Sequence, residues 1–220
     1  MKNATKITVS AMSAYVAMAG IEHGVGEILQ GNVAPSGTVI KSWQVPAFNI
    51  LAGEPAMTIV PNLLASGILT ILFSLVFLVW ASMFVQRKHG GLVLILLSII
   101  LLLVGGGFAP PVLGILLGAA GTKVNSRWTK WSPRRPGRSR RFLGRAWGWF
   151  LAASIVAFLI LFPGLILIDH FVGLSSPELI AAILPLIALG SLLLAIFSGF
   201  ARDSLRRAET LGGAFDSRAT

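Results

Sequence analysis

The chain has 220 residues, with 18 Lys and Arg against 8 Asp and Glu, 55% hydrophobic residues and 12% charged residues. Soluble domains carry about 25% charged residues, so half that share, together with long uncharged runs, excludes a soluble globular enzyme and indicates a membrane protein. Without cysteine, disulfides, thiol nucleophiles, iron–sulfur clusters and Cys-ligated zinc are excluded together.

The expected architecture is all-α: one polytopic membrane bundle of about six segments, including a short broken hairpin. A helix needs roughly 20 apolar residues to cross a hydrocarbon core. The first segment, about 7–30, is rich in Ala, Ser and Gly and carries three ionisable groups. Lys2 and Lys6 ahead of a modest apolar stretch, with Ala17-Met18-Ala19 before Gly20, also fit a cleavable signal peptide, although Thr8, Ser10 and Ser13 dilute the apolar region. An outer loop at 31–59 follows; it is longer than an ordinary connection and is expected to fold back over the helix ends as a cap. The second segment is 62–86, whose core, 63–85, is free of charge.

The next uncharged run, 90–122, is too long for one crossing. Gly105-Gly106-Gly107-Phe108-Ala109-Pro110-Pro111 interrupts it, combining low helix propensity with missing backbone donors. Two short helices are expected, 91–104 and 112–122, as a thin hairpin or a re-entrant loop whose tip is shielded by protein, since bare backbone cannot face lipid. A basic loop at 121–146 leads to the last two segments, 147–168 and 178–200, where Pro163-Gly164, Pro185 and Gly190 predict kinks.

Lys and Arg accumulate in cytoplasmic loops. With 90–122 as a hairpin and the N-terminus inside, 17 of the 18 Lys and Arg fall on the cytoplasmic side and only Lys41 outside. Both termini are therefore expected in the cytoplasm. The same topology puts Glu22, Glu27, Glu54, Asp169 and Glu178 on or near the outer side, with His23 and His170.

Half of all Lys and Arg lie in the 121–146 loop, which contains no acid. Its Arg127, Lys130, Arg134, Arg135, Arg138, Arg140, Arg141 and Arg145 are expected to meet anionic lipid headgroups, each base contributing about 1 kcal/mol near the leaflet. Trp128, Trp131, Trp147 and Trp149 suit the membrane interface; an acidic protein partner is a weaker alternative, and nucleic acid is not expected.

The string Glu22-His23-Gly24-Val25-Gly26-Glu27-Ile28-Leu29-Gln30 carries the candidate site. At about 100° per residue, Glu22, His23, Glu27 and Gln30 fit within an arc of about 140°, in the outer third of the span. Ionisable groups in a membrane helix face protein or a water-filled cavity and are a functional-site hypothesis by default. The plain alternative pairs His23 with Glu27, at i and i+4, and gives Glu22 a partner on another helix. Otherwise two carboxylates and an imidazole supply oxygen and nitrogen for a cation, or a path for a proton or solute. Glu54 in the outer loop is a candidate to complete the cluster, and so, from across the bundle, are Asp169 and His170. The alternatives are a solvated loop charge and a polar helix end. The Gly105, Gly106, Gly107, Pro110, Pro111 break is the second candidate, because broken helices bind ions and substrates in transporters; the alternative is a tight turn.

The strings EHGVGEILQGNVAPSG, GEPAMTIVPN and LLLVGGGFAPP resemble those of a group of uncharacterised prokaryotic multi-pass membrane proteins. The resemblance covers most of residues 20–125. It implies a prokaryotic inner or plasma membrane and no particular chemistry.

Three functions compete. A transport or channel-like component would use the polar arc and the glycine–proline break as an outward cavity, though no internal duplication supports an inverted repeat. A structural or accessory subunit would pack the small-residue face of the first helix against a membrane-protein partner or a second copy. An enzyme is the least favoured, since no nucleophile elbow, P-loop or metalloprotease motif is present. No cofactor is indicated, and the identity of any metal is open.

Overall fold

The computed structural model of the chain describes residues 3–124, 137–174 and 177–216. Seven α-helices make up most of it: α1 (Ala4–Gln30), α2 (Leu63–Val79), α3 (Gly90–Val104), α4 (Ala109–Gly121), α5 (Arg138–Leu159), α6 (Leu165–Val172) and α7 (Pro177–Asp216). Four stretches are long and apolar enough to cross a membrane: Ala4–Leu29, Leu63–Phe84, Arg138–Val172 and Ala182–Glu209. The helices Gly90–Val104 and Ala109–Gly121 are apolar but shorter.

The boundaries differ from expectation where local chemistry overrides hydropathy. Asn3 starts α1 by accepting a hydrogen bond from Lys6 N at 3.1 Å through its side chain, a helix-capping role. Pro110 and Pro111 do not extend the break; they fall in the first turn of α4, where the missing N–H groups have no helical partner to lose. The bend is thus confined to 105–108. The end of the basic loop is helical from Arg138 onward, because no Gly–Pro pair follows and Arg and Leu are good helix formers. Arg138, Arg140, Arg141 and Arg145 therefore sit on α5, not on a loop.

Two π turns interrupt the helices. Five residues of π-helix, Trp80–Phe84, close α2. A second π turn, Ile160–Gly164, joins α5 to α6 with Phe162 extended and Pro163 inside it; the Phe162–Pro163 peptide bond is cis.

α1 is the central post. Val9, Met12 and Val16 are buried in one cluster with Phe77 of α2, Leu94 and Leu101 of α3, Leu117 of α4, and Ala188 and Leu192 of α7. α1 and α2 cross at Gly24 and Gly67, where a Cβ on Gly24 would sit 2.7 Å from Gly67 O and one on Gly67 would strike Gly24 O. Backbones approach this closely only where both residues lack a side chain. Large side chains such as Leu72, Val76, Leu186 and Phe197 face outward and are exposed, as lipid-facing positions require.

Helix ends sort to two ends of the bundle. At one end, the start of α1 meets the end of α4, Asn3 Nδ2 donating to Val124 O at 3.3 Å. There it also meets α7, Ala4 N and Thr5 N donating to Asp203 at 2.7 and 2.9 Å. The opposite end is covered by the 31–62 connection. It carries a two-stranded antiparallel hairpin, β1 (Val39–Lys41) with β2 (Pro55–Met57), and a 3-10 turn at Pro46–Leu51, so it folds into a cap over α1.

The tip of the α3–α4 hairpin lies beneath this cap. Its carbonyls are satisfied by protein: Ile59 N donates to Leu103 O at 2.9 Å, and the Ser66 and Thr70 hydroxyls donate to Val104 O at 2.7 and 2.6 Å. A helix can end inside an apolar bundle only when its last carbonyls find such partners.

Candidate functional site

Three ionisable groups converge where α1 meets the cap. The hairpin ladder continues past its strands, Ser42 N donating to Glu54 O and Trp43 N to Gly53 O, both at 3.1 Å. Between the strands, Ala52, Gly53 and Glu54 take left-handed conformations in succession, with φ of 55°, 73° and 53°. Such backbone is uncommon outside glycine, and here it turns Glu54 back onto α1. Glu54 Oε2 lies 2.9 Å from His23 Nε2. The other ring nitrogen, Nδ1, is 2.8 Å from Ser42 Oγ. Glu22, one residue before His23, accepts a hydrogen bond from the Trp43 indole N–H through Oε1, while its buried Oε2 has no partner among the described residues. Trp43 is held by stacking on Phe48, with ring centroids 4.3 Å apart.

One ligating atom from each of Glu22, His23 and Glu54 lies within 4.8 Å of the other two. His23 is 2% exposed and Glu54 17%, so the pair is shielded from water. The set offers two carboxylates and one imidazole, donors that suit a divalent cation of borderline hardness. Binding at Nε2 requires the tautomer with a proton on Nδ1, and Ser42 Oγ is in place to accept it. The Trp43 N–H plays the same orienting part for Glu22.

The cluster opens on a cavity of about 260 Å³. Its walls are mostly apolar, with Tyr15, Phe108, Phe158 and Phe162 around it and His23 and Glu54 among its lining. Pockets of this make-up, apolar with a few convergent polar groups, are typical ligand sites.

The glycine tip reaches the same place. Gly107 has φ of 79° and packs flat on His23, where a Cβ would meet Cε1 at 2.7 Å; Gly105 has φ of 110° and packs on the Glu27 carboxylate. The polar arc of α1 and the helix break are therefore one site and not two. Glu27 does not pair with His23. It is 0% exposed, and neither of its oxygens has a hydrogen-bond partner among the described residues.

Other candidate residues lie elsewhere. Gln30 ties α1 to the cap, its amide donating to Lys41 O and Ser42 O at 3.0 and 2.8 Å. Asp169 receives Leu174 N at 3.3 Å at the end of α6, and His170 packs edge-on against Phe171; neither lines the cavity. Arg127, Lys130, Arg134, Arg135 and the side chain of Glu178 lie outside the described residues. Arg141 and Arg145 of α5 face Arg202 and Arg206 of α7 across a groove of about 650 Å³. The Arg202 guanidinium lies 4.9 Å over the Trp147 ring.

Ser42 and Trp43 were not foreseen. Both are polar-tipped residues in a loop whose register is invisible until the hairpin pairs; the signal present is Trp43 itself, a large aromatic between turn residues. No protein-family model, no curated protein and no solved structure matches the chain.

Proposed function

We propose that the chain is a membrane transport component whose outward-facing site, formed by Glu22, His23 and Glu54, binds a cationic solute. The observation that carries this reading is the convergence of three ligating side chains from α1 and the cap, two of which, His23 and Glu54, line an apolar-walled cavity. A packing device would have left each group paired and the space filled. Here Glu22 keeps a buried oxygen with no partner among the described residues.

In this reading six segments lie in a prokaryotic inner or plasma membrane, α3 and α4 forming the short hairpin, with both termini in the cytoplasm. The sorting of helix ends and the positive-inside pattern of the sequence support it. The capped end faces outward, so the site is reached through the cap. The basic residues of 121–146, with Arg202 and Arg206, face anionic headgroups of the inner leaflet.

Thermal unfolding of the detergent-purified chain, titrated with Mg²⁺, Ca²⁺, Mn²⁺, Co²⁺ and Zn²⁺, tests the site beside Glu22→Gln and His23→Ala. Specific binding at 100 times the dissociation constant stabilises by about 2.7 kcal/mol. A shift lost in both variants supports the reading and leads to flux measurements in liposomes. No shift, with both variants destabilised, would make the cluster a packing device and the chain an accessory subunit, to be sought with a stoichiometric partner.

A further inference from the structure

Glu27 is a buried acid that the Glu22–His23–Glu54 site does not use. Its side chain is wholly enclosed, and neither carboxylate oxygen receives a hydrogen bond among the described residues. A buried carboxylate without a partner is unfavourable, and is neutralised by a proton or by a cation.

Hydroxyl groups gather on the side where α2 and the end of α3 meet it. The Ser66 hydroxyl lies beside the carboxylate, yet its proton goes to Val104 O at 2.7 Å. Thr58 Oγ1 is 2.8 Å from Ser66 Oγ, and the Thr70 hydroxyl donates to the same Val104 O at 2.6 Å. Val104 is the last residue of α3, where the left-handed Gly105 ends the helix and the backbone presents its negative pole. Because Gly105 has no Cβ, the Glu27 carboxylate comes directly against this helix end.

We infer that Glu27 and the Ser66 and Thr70 hydroxyl oxygens, whose protons go to the Val104 carbonyl, form a second ion site, specific for a monovalent alkali cation, Na⁺. Two arguments select this class. All the donors are hard oxygens with no nitrogen or sulfur, which disfavours transition metals. The site holds a single carboxylate, which one positive charge neutralises, whereas a divalent ion would leave a net charge enclosed in an apolar bundle. A carboxylate and hydroxyls beside the negative C-terminal pole of an interrupted helix suit Na⁺ in a membrane interior.

The two sites share the hairpin tip, Gly105 resting on Glu27 and Gly107 on His23. Na⁺ at Glu27 fixes the tip and with it the position of His23. The coupling rests on the transport reading; the Na⁺ site itself does not, and its test uses a different ion and different variants.

The experiment is thermal unfolding of the full chain in NaCl, LiCl, KCl and choline chloride at equal ionic strength, for wild type, Glu27→Gln, Ser66→Ala and Glu22→Gln. The expected result is a saturable rise of the unfolding midpoint with Na⁺, absent with K⁺ and choline. Glu27→Gln abolishes the response, Ser66→Ala lowers the apparent Na⁺ affinity at least tenfold, and Glu22→Gln keeps it. Equal midpoints in NaCl and choline chloride for the wild type overturn the inference and make Glu27 a protonated acid. So does a response that Ser66→Ala leaves unchanged, a readout that holds even if Glu27→Gln fails to fold.

Discussion

Asp203 of α7 receives both the backbone N–H and the hydroxyl of Thr5, through Oδ2 at 2.9 and 2.7 Å. Its other oxygen receives Ala4 N at 2.7 Å. A carboxylate from the last helix thus caps the first, where unpaired N–H groups and the positive pole of α1 favour an anion.

Asp203→Ala removes an acceptor from three buried donors. Hydrogen bonds to a charged group contribute about 1.5–3 kcal/mol and a helix cap typically about 1, so the variant should lose about 2–3 kcal/mol. Asp203→Asn keeps one acceptor oxygen and should lose less. Equilibrium unfolding of the three proteins in one detergent checks the order; equal stabilities would show that the cap contributes nothing.

Gly105→Ala must force a left-handed residue and place a methyl group against the Glu27 carboxylate. A loss of about 2–4 kcal/mol is expected, together with the response to any ion bound there. Gly148 lies inside α5 with open space around its Cα, and Gly148→Ala should stabilise by about 0.4–1 kcal/mol through the unfolded chain. Opposite signs for the two substitutions in the same unfolding assay are the discriminating outcome.

Ser42→Ala leaves His23, Glu22 and Glu54 in place and removes only the group that orients Nδ1. Partners of a ligating imidazole typically contribute 10–100-fold in metal affinity. The variant should therefore weaken divalent-cation binding by that order, with a small effect on stability in the absence of ion. Calorimetric titration separates the two effects; unchanged affinity would remove the imidazole from the ligand set.

The α5–α7 groove offers a test of lipid contact. Arg145→Gln with Arg202→Gln should cost about 2 kcal/mol of preference for anionic over zwitterionic lipid, at about 1 kcal/mol per base. Comparing unfolding midpoints in nanodiscs of the two compositions reads this directly. A preference that the double variant retains would assign it to the other basic residues.

Much of the architecture was legible because bilayer thickness constrains run length, so uncharged stretches and the Gly105–Pro111 interruption mark helices and a bend without any tertiary information. Pro110 and Pro111 misled at the boundary, since proline breaks a helix interior but suits its first turn. The polar arc of α1 was legible from helical geometry. Glu54 was legible as a candidate partner, but its contact with His23 depends on the hairpin register and three left-handed residues that the sequence does not display, and Ser66 and Thr70 look like ordinary small residues in an apolar run. Asp203 was invisible for a related reason, as an acid among arginines reads as a solvated tail until the start of α1 is packed against it.

In the proposed topology the depth of the hairpin tip would set how the site feels a membrane potential. α3 has 15 residues and rises about 22 Å, so with its start at the inner surface the tip would stand roughly three quarters of the way across a hydrocarbon core about 30 Å thick. The packed helices below it would carry most of the voltage drop. An ion entering through the cap would then cross about a quarter of the field, about 0.6 kcal/mol per charge at 100 mV, and release on the far side would span the remainder. Occupancy from outside would be nearly indifferent to voltage, whereas the inward step of a transport cycle would be strongly driven by it.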